Sequence, residues 1–73
     1  MVGNYMGDIT RSKYPELDRV LWDFHNQKIP AKLAFEMYER RWGFIDDKRM
    51  DQKERNLLQQ LTDEYGNGVF LAA

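Results

Sequence analysis

Hydrophobic residues between Ala31 and Ile45 recur with the period of an α-helix. On a helical wheel at roughly 100° per residue they fill one arc of about 200°. The members of the arc are Ala31, Leu33, Ala34, Phe35, Met37, Tyr38, Trp42, Phe44 and Ile45. A surface helix needs an apolar stripe only about half as wide. We therefore predict a central helix over residues 30–42 that other elements cover from two sides, with Gly43 ending it in a left-handed conformation.

A second helical pattern precedes the central helix. Pro15 suits the first position of a helix, and apolar residues follow it three and four positions apart: Leu17, Val20, Leu21 and Phe24. This spacing predicts a first helix over residues 15–26 with one apolar face. Because only residues 27–29 separate it from the central helix, an antiparallel helical hairpin is expected.

The third helix is predicted over residues 51–65. Asp51 followed by Glu54 has the spacing of a capping box, with Asp51 as the N-cap. Leu57, Leu61 and other apolar residues then recur on one face, and Gly66 ends the helix at a Gly-Asn-Gly turn.

Together these patterns predict an all-α fold, a single small three-helix domain built from the hairpin and the third helix. An irregular N-terminal arm, residues 1–14, and an apolar C-terminal tail, residues 66–73, flank the helical core, residues 15–65. The tail is expected to fold back onto the core, because exposing Val69, Phe70 and Leu71 together would cost several kcal/mol.

Composition narrows the class of protein. The 73 residues suffice for one domain, and chains of this length bury only about 60% of their unfolded surface. Stability is therefore expected to be marginal without a further source such as oligomerisation. A chain without cysteine fits a reducing cytosol. Because no apolar run has membrane-spanning length and the N-terminus lacks a secretory pattern, a soluble cytoplasmic protein is expected.

Motifs for catalysis are missing from the sequence. It contains no phosphate-binding glycine loop, no zinc-protease motif and no nucleophile elbow. We interpret His25, despite the nearby Asp23, as a partly buried structural histidine at the rim of the first helix's apolar face. Asp46 and Asp47 are interpreted as a solvated loop, because no further spaced oxygen ligands follow them. A non-enzymatic protein with no cofactor and no bound metal is expected.

Nucleic-acid binding by a helix-turn-helix-like domain is the alternative function. Basic residues suited to phosphate contacts surround the junction of the second and third helices: Arg40, Lys48, Arg49, Lys53 and Arg55. The interspersed acidic residues and the net charge of −1 weigh against this alternative. The connection between the two helices is also longer than in the usual motif.

Binding to another protein, or to a second copy of the chain, is the favoured function. The expected classes are a regulator, an inhibitor, an antitoxin-like protein or a phage-type accessory factor. Trp22 lies off the apolar stripe of the first helix, and Trp and Tyr anchor interfaces disproportionately. With Tyr5, Met6 and Phe70 near the chain ends, Trp22 forms the candidate interface. The alternative for Trp22 is that a terminal arm covers it as part of the core.

Two charges of opposite sign lie in the middle of apolar faces. Arg41 is near the end of the central helix, and Glu54 is near the start of the third. These ends meet if the third helix runs back along the second, and both charges suit the helix dipoles. We therefore predict an Arg41–Glu54 ion pair that fixes the register of the two helices. In the alternative, Arg41 extends to solvent while Glu54 only closes the capping box.

Overall fold

The computed structural model describes residues 7–72. In chain order these residues form strand β1 (Asp8–Thr10), helix α1 (Pro15–Val20), strand β2 (Lys28–Pro30), helix α2 (Ala31–Arg40) and helix α3 (Gln52–Tyr65). Short 3₁₀ turns cover Arg11–Lys13, Trp42–Phe44 and Asp47–Arg49. The described chain is mostly helical, so the predicted small helical domain with three helices is confirmed in that coarse form.

The two strands form a small antiparallel sheet, so all-α is an incomplete description of the fold. Ile9 of β1 pairs with Ile29 of β2, and both side chains are buried. The N-terminal arm, predicted to be irregular, therefore holds a strand and a 3₁₀ turn. Three-residue strands give too short an alternation of apolar and polar positions to be recognised in the sequence.

Helix α1 is shorter than predicted, and its connection to α2 is longer. The helix ends at Val20 instead of residue 26, and residues 21–30 turn and then form β2. The prediction of a short linker over residues 27–29 is therefore wrong. Pro15 does begin the helix, as its preference for the first helical position predicts.

A buried arginine from the N-terminal arm closes the end of α1. The guanidinium of Arg11 donates to the carboxylate of Asp18 at 2.6 Å and to the carbonyl of Asp18 at 3.1 Å. It also donates to the carbonyls of Leu21 and Phe24, each at 2.8 Å. The last carbonyls of a helix lack partners within it, and a cation there is favoured by the helix dipole. Arg11 thus allows the helix to end at Val20.

A buried carboxylate from α3 binds the opposite end of α1. Glu54 is 0% exposed and accepts hydrogen bonds from the backbone N–H groups of Glu16 at 3.2 Å and Leu17 at 2.9 Å. The hydroxyl of Tyr38 on α2 donates to the same carboxylate at 2.7 Å. Burial, reinforced by this hydrogen bond, raises the pKa of Tyr38. Glu54 therefore links all three helices at the N-terminus of α1.

Local capping signals set the ends of α3. The side chain of Asp51 accepts from the backbone N–H of Glu54 at 2.8 Å, which confirms Asp51 as the N-cap. The carboxylate of Glu54 is directed to α1, so the capping box is only half formed. Gly66 ends the helix as predicted, and a Cβ at this position would collide with the carbonyl of Val69.

Helix α2 ends at Arg40, and Gly43 does not cap it. Gly43 lies inside the 3₁₀ turn Trp42–Phe44, and the left-handed glycines of the described chain are Gly7 and Gly68. The chain leaves the α-helical path after Arg40, so the wheel angles no longer apply beyond it, although Trp42 and Ile45 still pack against the core. Phe44, assigned to the apolar arc, is 61% exposed.

Side chains from every strand and helix meet in one core. Its buried apolar members are Ile9, Leu17, Val20, Leu21, Ile29, Ala31, Ala34, Phe35, Met37, Tyr38, Met50, Leu57 and Leu61. Helix α2 contributes more of them than any other element, as its wide apolar arc predicts.

Candidate functional site

An exposed aromatic pair lies where the turn after α1 meets the turn after α2. Trp22 is 58% exposed and Phe44 is 61% exposed, although both are large and apolar. Their ring centroids are 5.5 Å apart with planes at 79°, an edge-to-face contact. Trp22 is therefore not covered as part of the core. We call Trp22, Asp23, Arg41 and Phe44 the Trp22 patch.

Arg41 supports the Trp22 patch by a two-pronged salt bridge. Its guanidinium donates to the two carboxylate oxygens of Asp23 at 2.8 and 2.9 Å and to the carbonyl of Val20 at 2.7 Å. The guanidinium also lies over the Trp22 ring, 4.3 Å from its centroid. The hydrogen bond from Arg41 holds the pKa of Asp23 below its ordinary value, so the pair stays ionised.

The prediction that Arg41 pairs with Glu54 is wrong. Arg41 is the C-cap of α2, and its side chain extends toward the end of α1, where Asp23 and the carbonyl of Val20 lie. Glu54 is occupied by the N-terminus of α1 and by Tyr38. Arg41, which is partly exposed, and Glu54, which is buried, therefore have separate partners.

Arg19 ties Phe44 to the outer side of α1. Its guanidinium donates to the backbone carbonyl of Phe44 and, at 2.6 Å, to the carboxylate of Glu16. Glu16 is only 2% exposed and also accepts from the backbone N–H of Asp46 at 2.8 Å. The hydrogen bond from Arg19 holds the pKa of Glu16 below its ordinary value. The backbone that carries Phe44 is thus held on both sides.

Phe70 lies apart from Trp22, in a second aromatic group. It is partly buried, with edge-to-face contacts to Trp42 at 5.0 Å and to Phe35 at 6.1 Å between centroids. The backbone N–H of Leu71 donates to the Glu39 carboxylate at 2.8 Å, which fixes the tail to α2. The predicted folding back of the tail is seen at Phe70, whereas Val69 and Leu71 are 54% and 72% exposed.

A cleft of about 410 Å³ lies beside α3. The tail, the turns after α2 and one face of α3 form its walls, and the lining residues are Trp42, Asp47, Met50, Arg55, Leu58, Gln59, Thr62, Gly68 and Phe70. We call this concave surface the α3 cleft. Its apolar members are large, and its charged members are one acid and one base, a composition typical of a binding groove.

The basic residues of the alternative function are all exposed and lie among acids. Arg49 is 3.5 Å from the carboxylate of Asp46, and Arg55 donates to the carbonyl of Asp47. The Lys53 ammonium lies 5.4 Å from the centroid of the Tyr14 ring. Arg40 and Lys48 complete the set. The structure therefore gathers no unmixed basic stripe from these five residues.

Four further residues carry sequence-based predictions: Tyr5, Met6, His25 and Asp46. Tyr5 and Met6 lie outside the described residues. His25 is exposed, so its interpretation as a partly buried histidine is wrong, because α1 ends before reaching it. Asp46 accepts from the backbone N–H of Lys48 and caps the 3₁₀ turn.

Two partners in the Trp22 patch, Asp23 and Phe44, were not found from the sequence. The adjacency of Asp23 to Trp22 was visible, but its pairing with Arg41 depends on the turn that follows Val20. Phe44 falls in the apolar arc because the helical wheel was continued to Ile45, whereas α2 ends at Arg40.

Within residues 7–72, no helix combines the length and apolar character of a membrane span, and no three metal-ligating side chains are gathered. No protein family, curated protein or solved structure shows significant similarity to this chain.

Proposed function

We propose that this protein is a non-catalytic interaction module that acts in the cytoplasm by binding another protein. The classes that fit are a regulator, an inhibitor, an antitoxin-like protein and a phage-type accessory factor. The observation that carries the proposal is the exposure of Trp22 and Phe44, 58% and 61%, on a fixed support. The cytoplasmic location accords with a chain that contains no cysteine.

The Trp22 patch suits protein binding because its side chains are ordered before a partner arrives. Ordering a flexible side chain at an interface costs about 0.5–1.5 kcal/mol. The Trp22 ring contacts Phe44 and the Arg41 guanidinium, which the salt bridge to Asp23 holds in position, so Trp22 is already restricted before a partner binds. A partner therefore gains the burial of two large rings at a reduced entropic cost.

The residue types in the patch also match those that dominate interface energetics. Trp and Arg are enriched among the few residues that carry most of the binding free energy. Asp23 neutralises Arg41, so covering the patch does not bury an unpaired charge. The patch is thus an aromatic centre with a neutralised polar edge, the arrangement of a protein-binding hot spot.

Affinity capture from the protein's own host cells tests the proposal. Tagged wild-type protein is compared with Trp22→Ala and Phe44→Ala, and the captured proteins are quantified. Each variant removes an exposed ring, so the fold is expected to persist, as circular dichroism will verify. We expect a specific partner whose capture is weakened about 30-fold by Trp22→Ala, the equivalent of about 2 kcal/mol.

The matched control is Gln60→Ala, an exposed position on α3 outside the patch. It should capture the partner as well as wild type does. Equal capture by the wild type, the control and the Trp22 variant would contradict the proposal. Oligonucleotide binding that weakens steeply with salt and is abolished by Arg49→Ala and Lys53→Ala would instead support nucleic-acid binding.

A further inference from the structure

The α3 cleft has an apolar floor. Trp42, Met50, Leu58 and Phe70 supply large apolar side chains to its lining. Trp42 and Phe70 hold each other edge to face at 5.0 Å, and Met50 is buried in the core. The volume of about 410 Å³ is enough to admit an aliphatic side chain.

The tail that forms one wall of the cleft also carries exposed apolar side chains. Gly68 and Phe70 line the cleft, while Val69 and Leu71 are 54% and 72% exposed. The hydrogen bond from the backbone of Leu71 to Glu39 fixes this segment on α2. The tail thus carries exposed apolar side chains at positions next in sequence to residues that line the cleft.

The charged residues of the α3 cleft make this surface complementary to a second copy of itself. Asp47 and Arg55 both line it, and neither forms a salt bridge within the part of the chain that the structure describes. Within residues 7–72 the Arg55 guanidinium donates to the backbone carbonyl of Asp47 and to no carboxylate. A surface with one unpaired acid and one unpaired base is matched by the same surface turned through a two-fold axis.

We infer that the α3 cleft is the contact face of a homodimer of this chain. Across the two-fold axis, Leu71 of each copy enters the cleft of the other, and Asp47 of each copy pairs with Arg55 of the other. In such an isologous contact both interactions are made twice. A short chain with a limited core gains from this added burial. The inference uses residues outside the Trp22 patch and does not rest on the proposed function.

Charge reversal provides the test, with sedimentation equilibrium over a concentration series as the measurement. Asp47→Arg and Arg55→Asp each place like charges opposite one another in a homodimer, so each is expected to weaken dimerisation at least about tenfold. An equimolar mixture of the two variants restores both opposite-charge pairs. The mixture is therefore expected to form a heterodimer with close to wild-type affinity.

Two further variants keep the result independent of folding defects. Leu71→Ser alters an exposed side chain and is expected to weaken dimerisation about tenfold, whereas Trp22→Ala should leave it unchanged. A wild-type protein that stays monomeric throughout the series would overturn the inference. A mixture no more dimeric than its components, when both are folded, would also overturn it, as would a Leu71→Ser variant that dimerises normally.

Discussion

Replacing Glu54 tests the central connection of the fold. Its carboxylate is 0% exposed and accepts three hydrogen bonds, two from the backbone of α1 and one from the Tyr38 hydroxyl. In Glu54→Gln the side-chain shape is retained, but one carboxylate oxygen becomes an NH₂ group. The least costly arrangement keeps the amide oxygen toward Leu17 and Tyr38, where the distances are 2.9 and 2.7 Å. The NH₂ group then faces the N–H of Glu16, and the 3.2 Å bond is lost.

The expected loss of stability follows from the number of hydrogen-bond donors that each substitution leaves without an acceptor. Hydrogen bonds to charged groups contribute about 1.5–3 kcal/mol each, so Glu54→Gln should lower the free energy of unfolding by about 2 kcal/mol. Glu54→Ala leaves all three donors without their acceptor and opens a cavity, for which we expect about 4 kcal/mol. Since small domains lie toward the low end of about 5–15 kcal/mol, the Ala variant should be close to unfolded.

Urea unfolding followed by circular dichroism measures these losses. The matched control is Glu36→Gln, the same substitution at a partly exposed position on α2, which should change stability by less than about 0.5 kcal/mol. Tyr38→Phe in both backgrounds completes a double-mutant cycle, and its cost should be smaller once Glu54 is Gln. A Glu54→Gln variant as stable as the control would show that the carboxylate does not hold α1.

Three further perturbations have defined outcomes. Arg11→Met leaves the carbonyls at the end of α1 without donors and should lower the free energy of unfolding, measured in urea, by about 3 kcal/mol. Lys13→Met, at an exposed neighbouring position, should leave the free energy of unfolding almost unchanged. Gly66→Ala places a Cβ 2.8 Å from the Phe35 ring and against the carbonyl of Val69, so the thermal midpoint should fall by several degrees, while Gly43→Ala, with open space around it, should leave it unchanged. Because the pKa of Glu16 is lowered in the folded protein, the unfolded chain binds a proton at Glu16 first as the pH falls. The stability that Glu16 confers is therefore complete above its ordinary pKa of 4.5. It is lost as the pH falls through the lower pKa of the folded state. The midpoint of urea unfolding should therefore fall less steeply with decreasing pH in Glu16→Gln than in the wild type. An unchanged slope of midpoint against pH would contradict this role of Glu16.

Features set by neighbouring residues were predictable from the sequence. The wide apolar arc of α2, the start of α1 at Pro15 and both ends of α3 follow from periodicity and capping within a few residues. The sequence pattern places Trp22 off the apolar stripe of the first helix but does not decide whether the side chain is exposed. The strands were missed because pairing between Ile9 and Ile29 is a contact between distant parts of the chain.

Roles that depend on distant contacts were not predictable. The sequence predicts an irregular arm around Arg11, yet this side chain is buried at the end of α1. Arg41 and Glu54 were recognised as charges on apolar faces, but opposite sign and similar height along two helices did not identify their partners. The partner of Arg41 depends on the turn after Val20, and that of Glu54 on the approach of α1. The spacing of neighbouring residues in the sequence indicates neither the turn after Val20 nor the approach of α1 to Glu54.

The dependence of α1 on Arg11 at one end and Glu54 at the other has a consequence for how the chain folds. A helix of six residues is too short to persist alone, because the cost of nucleating it is not repaid within one or two turns. Its N-terminal acceptor, Glu54, is separated from Glu16 by 38 positions, so a long loop must close before α1 gains that support. We therefore expect α1 to form late, after α2 and α3 have met, and to melt together with α3 as one cooperative unit. Cleavage of the chain between α2 and α3 would then release α1 as well, although the cut lies far from it in sequence.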